Sequence, residues 1–378
     1  GTPPTIFTTL KGAMSDIPMN EPMRDDLENI AAHNQQVEKI RSVINSVKPS
    51  VEKFIGSITS KLLNKITKAS DLKIWRNQCH TNAAAASSYS YEAYASLKVR
   101  GTVEYLTELI SEICDLKPQS AEKKHFFLIM HSWVLRDTLG KSLLVSTPSW
   151  TKFLLNFDLN YQKRQLHFLI QELNNQYSHN PDSVNKLDVF KMALYQILET
   201  IKKPAIINAI KVSDRVILKQ LVKKVAALPT GDNLEYSKNT ALLNKNTPVM
   251  ENILDLLLGR IRLDSVREKI DAVIAVQLNS SWENNFQQSL ITNYLGFAFW
   301  DVITFSITGS KVIGELNEIL VNRISPDDNL VLKSDPMEMP LKGTAMRSFG
   351  AFFSREDREN DYLWGRLNGA ERLIDMLY

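Results

Sequence analysis

The chain has 378 residues, with 45 Lys and Arg against 42 Asp and Glu, and the resulting net charge of +3 is too small for this length to imply nucleic-acid binding. Glycine and proline number 14 each, below their usual shares, which argues against a turn-rich all-β fold. Two cysteines, Cys79 and Cys114, cannot build a disulfide framework, so a reducing, cytoplasmic setting is expected.

The N-terminal Gly1-Thr2-Pro3-Pro4 has no charged stretch leading into an apolar core and does not read as a signal peptide. It reads as the start of a piece of a longer protein, and residues 1–20, with little period, as a linker. From Pro22 the pattern turns helical: Leu27, Ile30, Ala31, Asn34, Val37, Ile40, Arg41 and Ile44 recur at steps of three and four, apolar in most positions. Pro22 suits a first turn, and Asp25, Asp26 and Glu28 suit its positive end. Lys48-Pro49 predicts the end of that helix, because proline has no N–H to give and its ring crowds the preceding turn. Ser50 then caps a second helix running through Phe54, Ile58, Leu62 and Ile66. A third is expected from Asp71 towards Cys114, with a kink or break near Ala83 to Ser90 on account of its length.

Leu116-Lys117-Pro118-Gln119-Ser120 is a breaker, and the helix after it carries Phe126, Phe127, Met130, Trp133 and Val134. One long segment is expected over 148–177, closed by His179-Asn180-Pro181-Asp182. Helical period continues from Asp188 to Leu228. The clearest interior loop is 229–248, where Thr230-Gly231-Asp232-Asn233 and Asn244-Lys245-Asn246-Thr247 are turn-forming. Tyr294 to Thr308 is the most apolar window, interrupted by Asp301 and shorter than the roughly 20 residues of a membrane span. It reads as a buried helix or strand, with Val302 to Ile307 the one candidate strand. The fold class is therefore mainly α, a multi-helix, bundle-like region. Its expected organisation is a linker at 1–20, a helical region at 21–228, a loop at 229–248 and a C-terminal helical region at 249–378.

Catalytic signatures are missing. A serine hydrolase of the α/β type exposes its nucleophile in a Gly-x-Ser-x-Gly turn, and no such pentapeptide occurs. Gly309-Ser310-Lys311-Val312-Ile313-Gly314 has neither the Walker order nor the dinucleotide-binding spacing. Cys79 and His80 splay apart on a helix, while Cys114, His125 and His131 lack the paired spacings of a zinc site. His167, amid Leu166, Phe168 and Leu169, reads as a partly buried, hydrogen-bonded histidine. Capping and turn roles account for Asp25/Asp26 and Asp327/Asp328. No catalytic, cofactor-binding or metal-ligating residue is expected.

One charge pattern stands out. Lys211, Arg215, Lys219 and Lys223 follow one another at four-residue steps and form a basic stripe, with Ile207, Ile210, Ile217, Leu221 and Val225 as the apolar side. Such a helix can lie on anionic lipid or meet an acidic protein face, or it can be the solvated face of a bundle helix.

Three stretches resemble bacterial patatin-related proteins, in the large C-terminal region, including a domain of unknown function, that follows their patatin-like lipid acyl hydrolase domain. The first runs from Pro18 to Asn34, and the second is Phe157-Asp158-Leu159-Asn160-Tyr161-Gln162-Lys163-Arg164-Gln165-Leu166-His167-Phe168-Leu169-Ile170. The third joins Arg323-Ile324-Ser325-Pro326-Asp327-Asp328, Leu341-Lys342-Gly343-Thr344, Phe349-Gly350-Ala351-Phe352-Phe353 and the run from Arg358 to Ile374. Patatin-like domains work with a Ser in Gly-x-Ser-x-Gly, an Asp before Gly or Ala, and a glycine-rich oxyanion loop. Here the pentapeptide and the loop are missing and Asp271-Ala272 lies in a helical run, so no catalytic residue carries over. The resemblance implies a non-catalytic accessory region of an acyl hydrolase. Its implied partner is the hydrolase domain of the same polypeptide, while an anionic membrane surface is the partner that the basic stripe Lys211, Arg215, Lys219 and Lys223 would suit.

The terminal motif also has a physical reading. Leu363, Leu367, Ala370, Ile374 and Leu377 make one apolar stripe, expected to lie in a groove within the chain, with Asp361, Trp364, Gly365, Asn368 and Arg372 largely off it. Gly365 would allow another backbone to approach, and Arg358, Asp361 and Arg366 could ion-pair beside Trp364. Together these five predict a structural clamp.

Overall fold

The computed structural model describes residues 22–59, 67–138, 141, 149–178, 181–228, 240–308, 318–319, 321, 341–342 and 354–377. All regular structure among them is helical. In chain order the helices are α1 (Pro22–Thr59), α2 (Ala69–Cys114), α3 (Ala121–Val134), α4 (Ser149–Phe157), α5 (Leu159–Asn174), α6 (Val184–Thr200) and α7 (Lys203–Ala209). There follow α8 (Val212–Ala226), α9 (Thr240–Lys245), α10 (Thr247–Ile261), α11 (Leu263–Leu278), α12 (Asn284–Thr308) and α13 (Arg355–Leu377). The mainly α class is the observed one. The linker at 1–20, the Ser325–Asp328 turn and the Phe349–Phe353 run lie outside the described residues.

Several expected boundaries move, each for a local reason. Pro49 sits inside α1 rather than ending it. Buried Val51 and Ile55 and the edge-on packing of Phe54 against Phe299, with centroids 5.7 Å apart, hold the helix through the one hydrogen bond that proline forfeits. Helix α2 runs unbroken through Ala83–Ser90, a stretch with neither Gly nor Pro. It stops where Asp115 turns left-handed at φ 57°, and Ser120 opens α3 by accepting from the Lys123 N–H at 3.2 Å. The segment 148–177 is two helices, because the Asp158 carboxylate caps α5 by accepting from the Tyr161 N–H at 2.9 Å. The Asp188–Leu228 period is broken twice, at Pro204 near the start of α7 and at Ile210 and Lys211, whose ψ angles of 123° and 151° are extended. Helices occupy 240–245 and begin again at Thr247, inside the stretch expected to be loop; 229–239 lies outside the described residues. The candidate strand at Val302–Ile307 is the last part of α12, whose near-uniform apolarity reflects burial on all sides.

Contacts divide the chain into two compact units. The larger, 39–317, is built on α2 and α12, with α3, α5 and α11 packed against one or both. One continuous apolar core runs from Ile40 to Trp300, and a small satellite gathers Ala83, Tyr94, Val302 and Phe305. At Gly296 a β-carbon would come within 2.7 Å of the Trp300 ring, so glycine is what lets that indole lie flat on its own helix. The smaller unit is 1–38 with 318–378. In it the Asn34 side chain donates to the Ile319 carbonyl at 3.0 Å and accepts from the Ile319 N–H at 2.8 Å. No helix among the described residues is long and apolar enough to cross a membrane.

Candidate functional site

The densest polar cluster lies inside the larger unit, around the residue that interrupts the apolar window. Asp301 is 0% exposed. Arg164 of α5 grips it with two bonds, Nε to Oδ1 at 2.7 Å and Nη2 to Oδ2 at 3.0 Å, and the Tyr94 hydroxyl of α2 donates to Oδ2 at 2.6 Å. Lys98, one turn after Tyr94, stands 3.5 Å from the same oxygen and 2.6 Å from Asp158 Oδ2. Its ammonium also faces the Tyr161 and Tyr94 rings, at 4.3 and 5.0 Å from their centroids, while the Arg164 guanidinium lies 4.5 Å from that of Phe305. Two cations thus meet two carboxylates, and every charge has a partner.

A second buried pair ties α2 and α12 to α11. Arg76 of α2 donates to Asp271 of α11 at 2.6 Å and to the Tyr294 hydroxyl at 2.9 Å, and that hydroxyl donates to Asp271 in turn. Tyr294 and Asp301 lie seven residues apart, on one face of α12. His80, one turn after Arg76, shares a 3.3 Å hydrogen bond between Nε2 and the Tyr161 hydroxyl.

The electrostatics suit bracing rather than proton transfer. Burial alone would raise the Asp301 carboxyl, but Arg164 and Lys98 outweigh it and hold the group at about 2. Burial, with Lys98 and Arg76 nearby, pushes His80 down to about 3, so its ring is neutral. Burial first, then Asp301, drives Tyr94 well above its ordinary value; Tyr161 moves the same way for the same leading reasons. Burial pushes the Cys79 thiol up to about 12. A general acid or base works best near the operating pH, and these groups are all held far from neutrality.

The predicted stripe is only partly presented to solvent. Lys211 is the extended residue before α8, Arg215 donates to the Ile207 carbonyl at 2.9 Å, and Lys219 pairs with Asp115 at 2.6 Å. Lys223 is exposed, as is Lys211. Of the expected apolar side, Ile210 and Val225 are buried and Ile207 and Leu221 pack against the core, with Leu218 and Val222 buried beside them, whereas Ile217 is exposed, as are Val212 and Val216.

The five predicted clamp residues all lie on α13. Arg358 and Arg366 are exposed, Trp364 is half-buried, and a β-carbon on Gly365 would meet no described atom within 4 Å. Asp361 Oδ1 accepts from the Lys342 N–H at 2.8 Å, and Arg366 lies over the Tyr362 ring at 5.8 Å. Among the described side chains of α13 the buried one is Asn368, while Leu363, Leu367 and Ile374 of the apolar stripe face outward. The helix is turned opposite to the expectation, with its polar side in.

Sequence reasoning passed over Arg76, Tyr94 and Lys98, which carry no local signal on a long polar-faced helix. It had two handles on the rest: Asp301 alone in an apolar window, and the Phe157–Ile170 stretch, which supplies Asp158, Tyr161 and Arg164.

Residues 203–378 match the model of a protein family described as of unknown function (DUF3376), so this part of the chain carries a domain of unknown function. Over 57 residues the chain is 39% identical to an uncharacterized membrane protein, Rv3479, of Mycobacterium tuberculosis. That match covers 15% of this chain and 5% of the relative, which is a much longer protein. No solved structure matches.

Proposed function

We propose that the chain is a non-catalytic helical region of a lipid acyl hydrolase of the patatin type, and that α13 docks the hydrolase domain of the same polypeptide through its apolar face. The observation that carries the docking is the exposure of that face: Leu363 and Ile374 are 56% and 57% exposed, with Leu367, Leu373 and Tyr362 exposed beside them. A row of large apolar side chains along one helix is the pattern by which helices are held in grooves. The resemblance of the Pro18–Asn34, Phe157–Ile170 and Arg323–Ile374 stretches supplies the occupant. The paired, non-titrating charges of the core support a bracing rather than a chemical role.

The gene sequence ahead of Thr2 tests the parentage: an upstream Gly-x-Ser-x-Gly supports it, and its absence leaves a stand-alone helical interaction module. Docking is tested by calorimetry between that hydrolase domain and this chain, in which Leu363→Ser with Ile374→Ser is expected to abolish binding. Serine-dependent hydrolysis of acyl nitrophenyl esters by the purified chain would overturn the non-catalytic assignment.

A second reading, contact with an anionic membrane surface, is favoured by exposed Val212 and Val216 one turn apart beside Lys211 and Lys223. The chain should then sediment with anionic vesicles at low salt and be released as salt rises. Equal binding to neutral vesicles, or none, removes this reading.

A further inference from the structure

Each cation of the buried network meets a carboxylate, but Lys163 of α5, next in sequence to Arg164, does not. It is half-buried, and its ammonium lies 4.7 Å from the centroid of the Tyr105 ring of α2. Among the described residues no carboxylate acts on it, and the charge it does feel is that of Lys203, the first residue of α7. Lys203 pairs in turn with Glu112, which follows Tyr105 by about two turns on the same face of α2. The Tyr105 hydroxyl is shielded from solvent and has no hydrogen-bond partner among the described residues. Buried polar groups normally have one.

Helices α2, α5 and α7 thus assemble two ammonium groups and a buried hydroxyl, while the nearby carboxylate, Glu112, is held by Lys203. Burial, then Glu112, pushes Tyr105 up to about 12, so the hydroxyl keeps its proton and remains a donor. Burial, then Lys203, pushes Lys163 down to about 8. An appreciable share of it is therefore the neutral, nucleophilic amine at a pH where an ordinary lysine is almost wholly protonated.

We propose that Lys163 is a carbamylation site for dissolved carbon dioxide, its carbamate held by the Tyr105 hydroxyl and the Lys203 ammonium. The amine lone pair forms an N–C bond to carbon dioxide, one C–O π pair moves onto oxygen, and a nitrogen proton leaves for solvent. The product carries the negative charge that Lys163 lacks beside it, on oxygens that can accept from both donors. Carbon dioxide is small and uncharged, so a half-buried amine is open to it. The site does not depend on the docking role of α13.

Carbon NMR of the full chain in isotope-labelled bicarbonate near pH 8, followed by triethyloxonium trapping and peptide mapping, tests this. The trapped carbamate is expected at Lys163, at several-fold higher occupancy than at exposed lysines such as Lys124. Lys163→Arg keeps a positive charge but stays protonated, and should lose both the resonance and the adduct. Tyr105→Phe and Lys203→Gln each remove one donor and should lower occupancy about tenfold, whereas Glu112→Gln frees Lys203 and should raise it. Exchanging chloride for bicarbonate at equal ionic strength should raise the thermal midpoint of the native chain but not that of Lys163→Arg, because the folded state alone holds the carbamate. The midpoints also establish that each variant is folded, and labelling of the native chain decides the matter should a variant fail to fold. Labelling of Lys163 no greater than that of Lys124 overturns the proposal. So does a bicarbonate-raised midpoint without an adduct, which marks a bound anion, or unchanged occupancy in both donor variants.

Discussion

Helix α12 is apolar along almost its whole length and hides its one charged residue, Asp301, whereas α13 carries ten charged residues and turns its leucines outward. Hydropathy alone predicts the reverse on both counts. The difference teaches that partners decide what is buried. Asp301 goes in because Arg164, Lys98 and Tyr94 replace the water it loses, while in α13 the residue that goes in is Asn368.

The most severe way to break this comparison is to remove the partners wholesale. The matched region 203–378 contains Asp271, Tyr294 and Asp301 but none of Arg76, Lys98 or Arg164. Expressed alone, it would bury two uncompensated carboxylates and bare the core face of α12, so it should lack cooperative unfolding and dispersed amide resonances. A cooperatively folded 203–378 fragment would show that the α2 and α5 cations are dispensable. Next in size is Asp301→Ala in the whole chain, which strands Arg164 beside Lys98. The expected loss is about 3 to 5 kcal/mol in urea denaturation. A loss below about 1 kcal/mol would mean that the guanidinium finds water or another acceptor.

The helices themselves were legible because the 3.6-residue period survives in nearly every one, and a chain short of Gly and Pro has few other options. Their ends were less so. Pro49 and Asp158 each act through one interaction: tertiary packing overrode the first, and a single carboxylate cap made a break that periodicity does not record at the second. The ion network was legible only in halves. Arg76 and Asp271 are 195 residues apart, and Arg164 and Asp301 137. Nothing local in α2 says that its Arg76 and Lys98 point inward, since amphipathic period treats every cation as solvated. The same period placed the apolar stripe of α13 in a groove, whereas Leu363, Leu367 and Ile374 are exposed.

A milder probe uses protons instead of mutations. His80 titrates near 6.5 in an unfolded chain and at about 3 when folded, so between those values the unfolded state binds the extra proton. Stability from this group is therefore complete above pH 6.5 and declines as pH falls towards 3, by no more than about 1.4 kcal/mol per pH unit. Asp301 adds its own loss only below the unfolded carboxylate value, as pH falls towards about 2. His131 is also pushed down, by burial, so some slope should persist without His80. His80→Gln should flatten the stability curve between pH 6 and 4 relative to the native chain. An unchanged slope would mean that the folded His80 titrates normally.

The smallest expected effect is on the other side of the comparison. Leu363 and Ile374 are more than half exposed, so Leu363→Ser with Ile374→Ser removes little buried area. The isolated chain should change in stability by no more than about 0.5 kcal/mol per site, as surface substitutions do. Asp361→Asn should likewise be mild, since an amide oxygen can still accept from the Lys342 N–H. The hydrolase-linked protein is where the serine pair should act, by separating the domains and not by unfolding this one. If the double variant instead lowers the melting temperature of the isolated chain by as much as a core substitution does, Leu363 and Ile374 are covered within the chain in solution. The outward face of α13 would then be an internal packing surface and not a docking one.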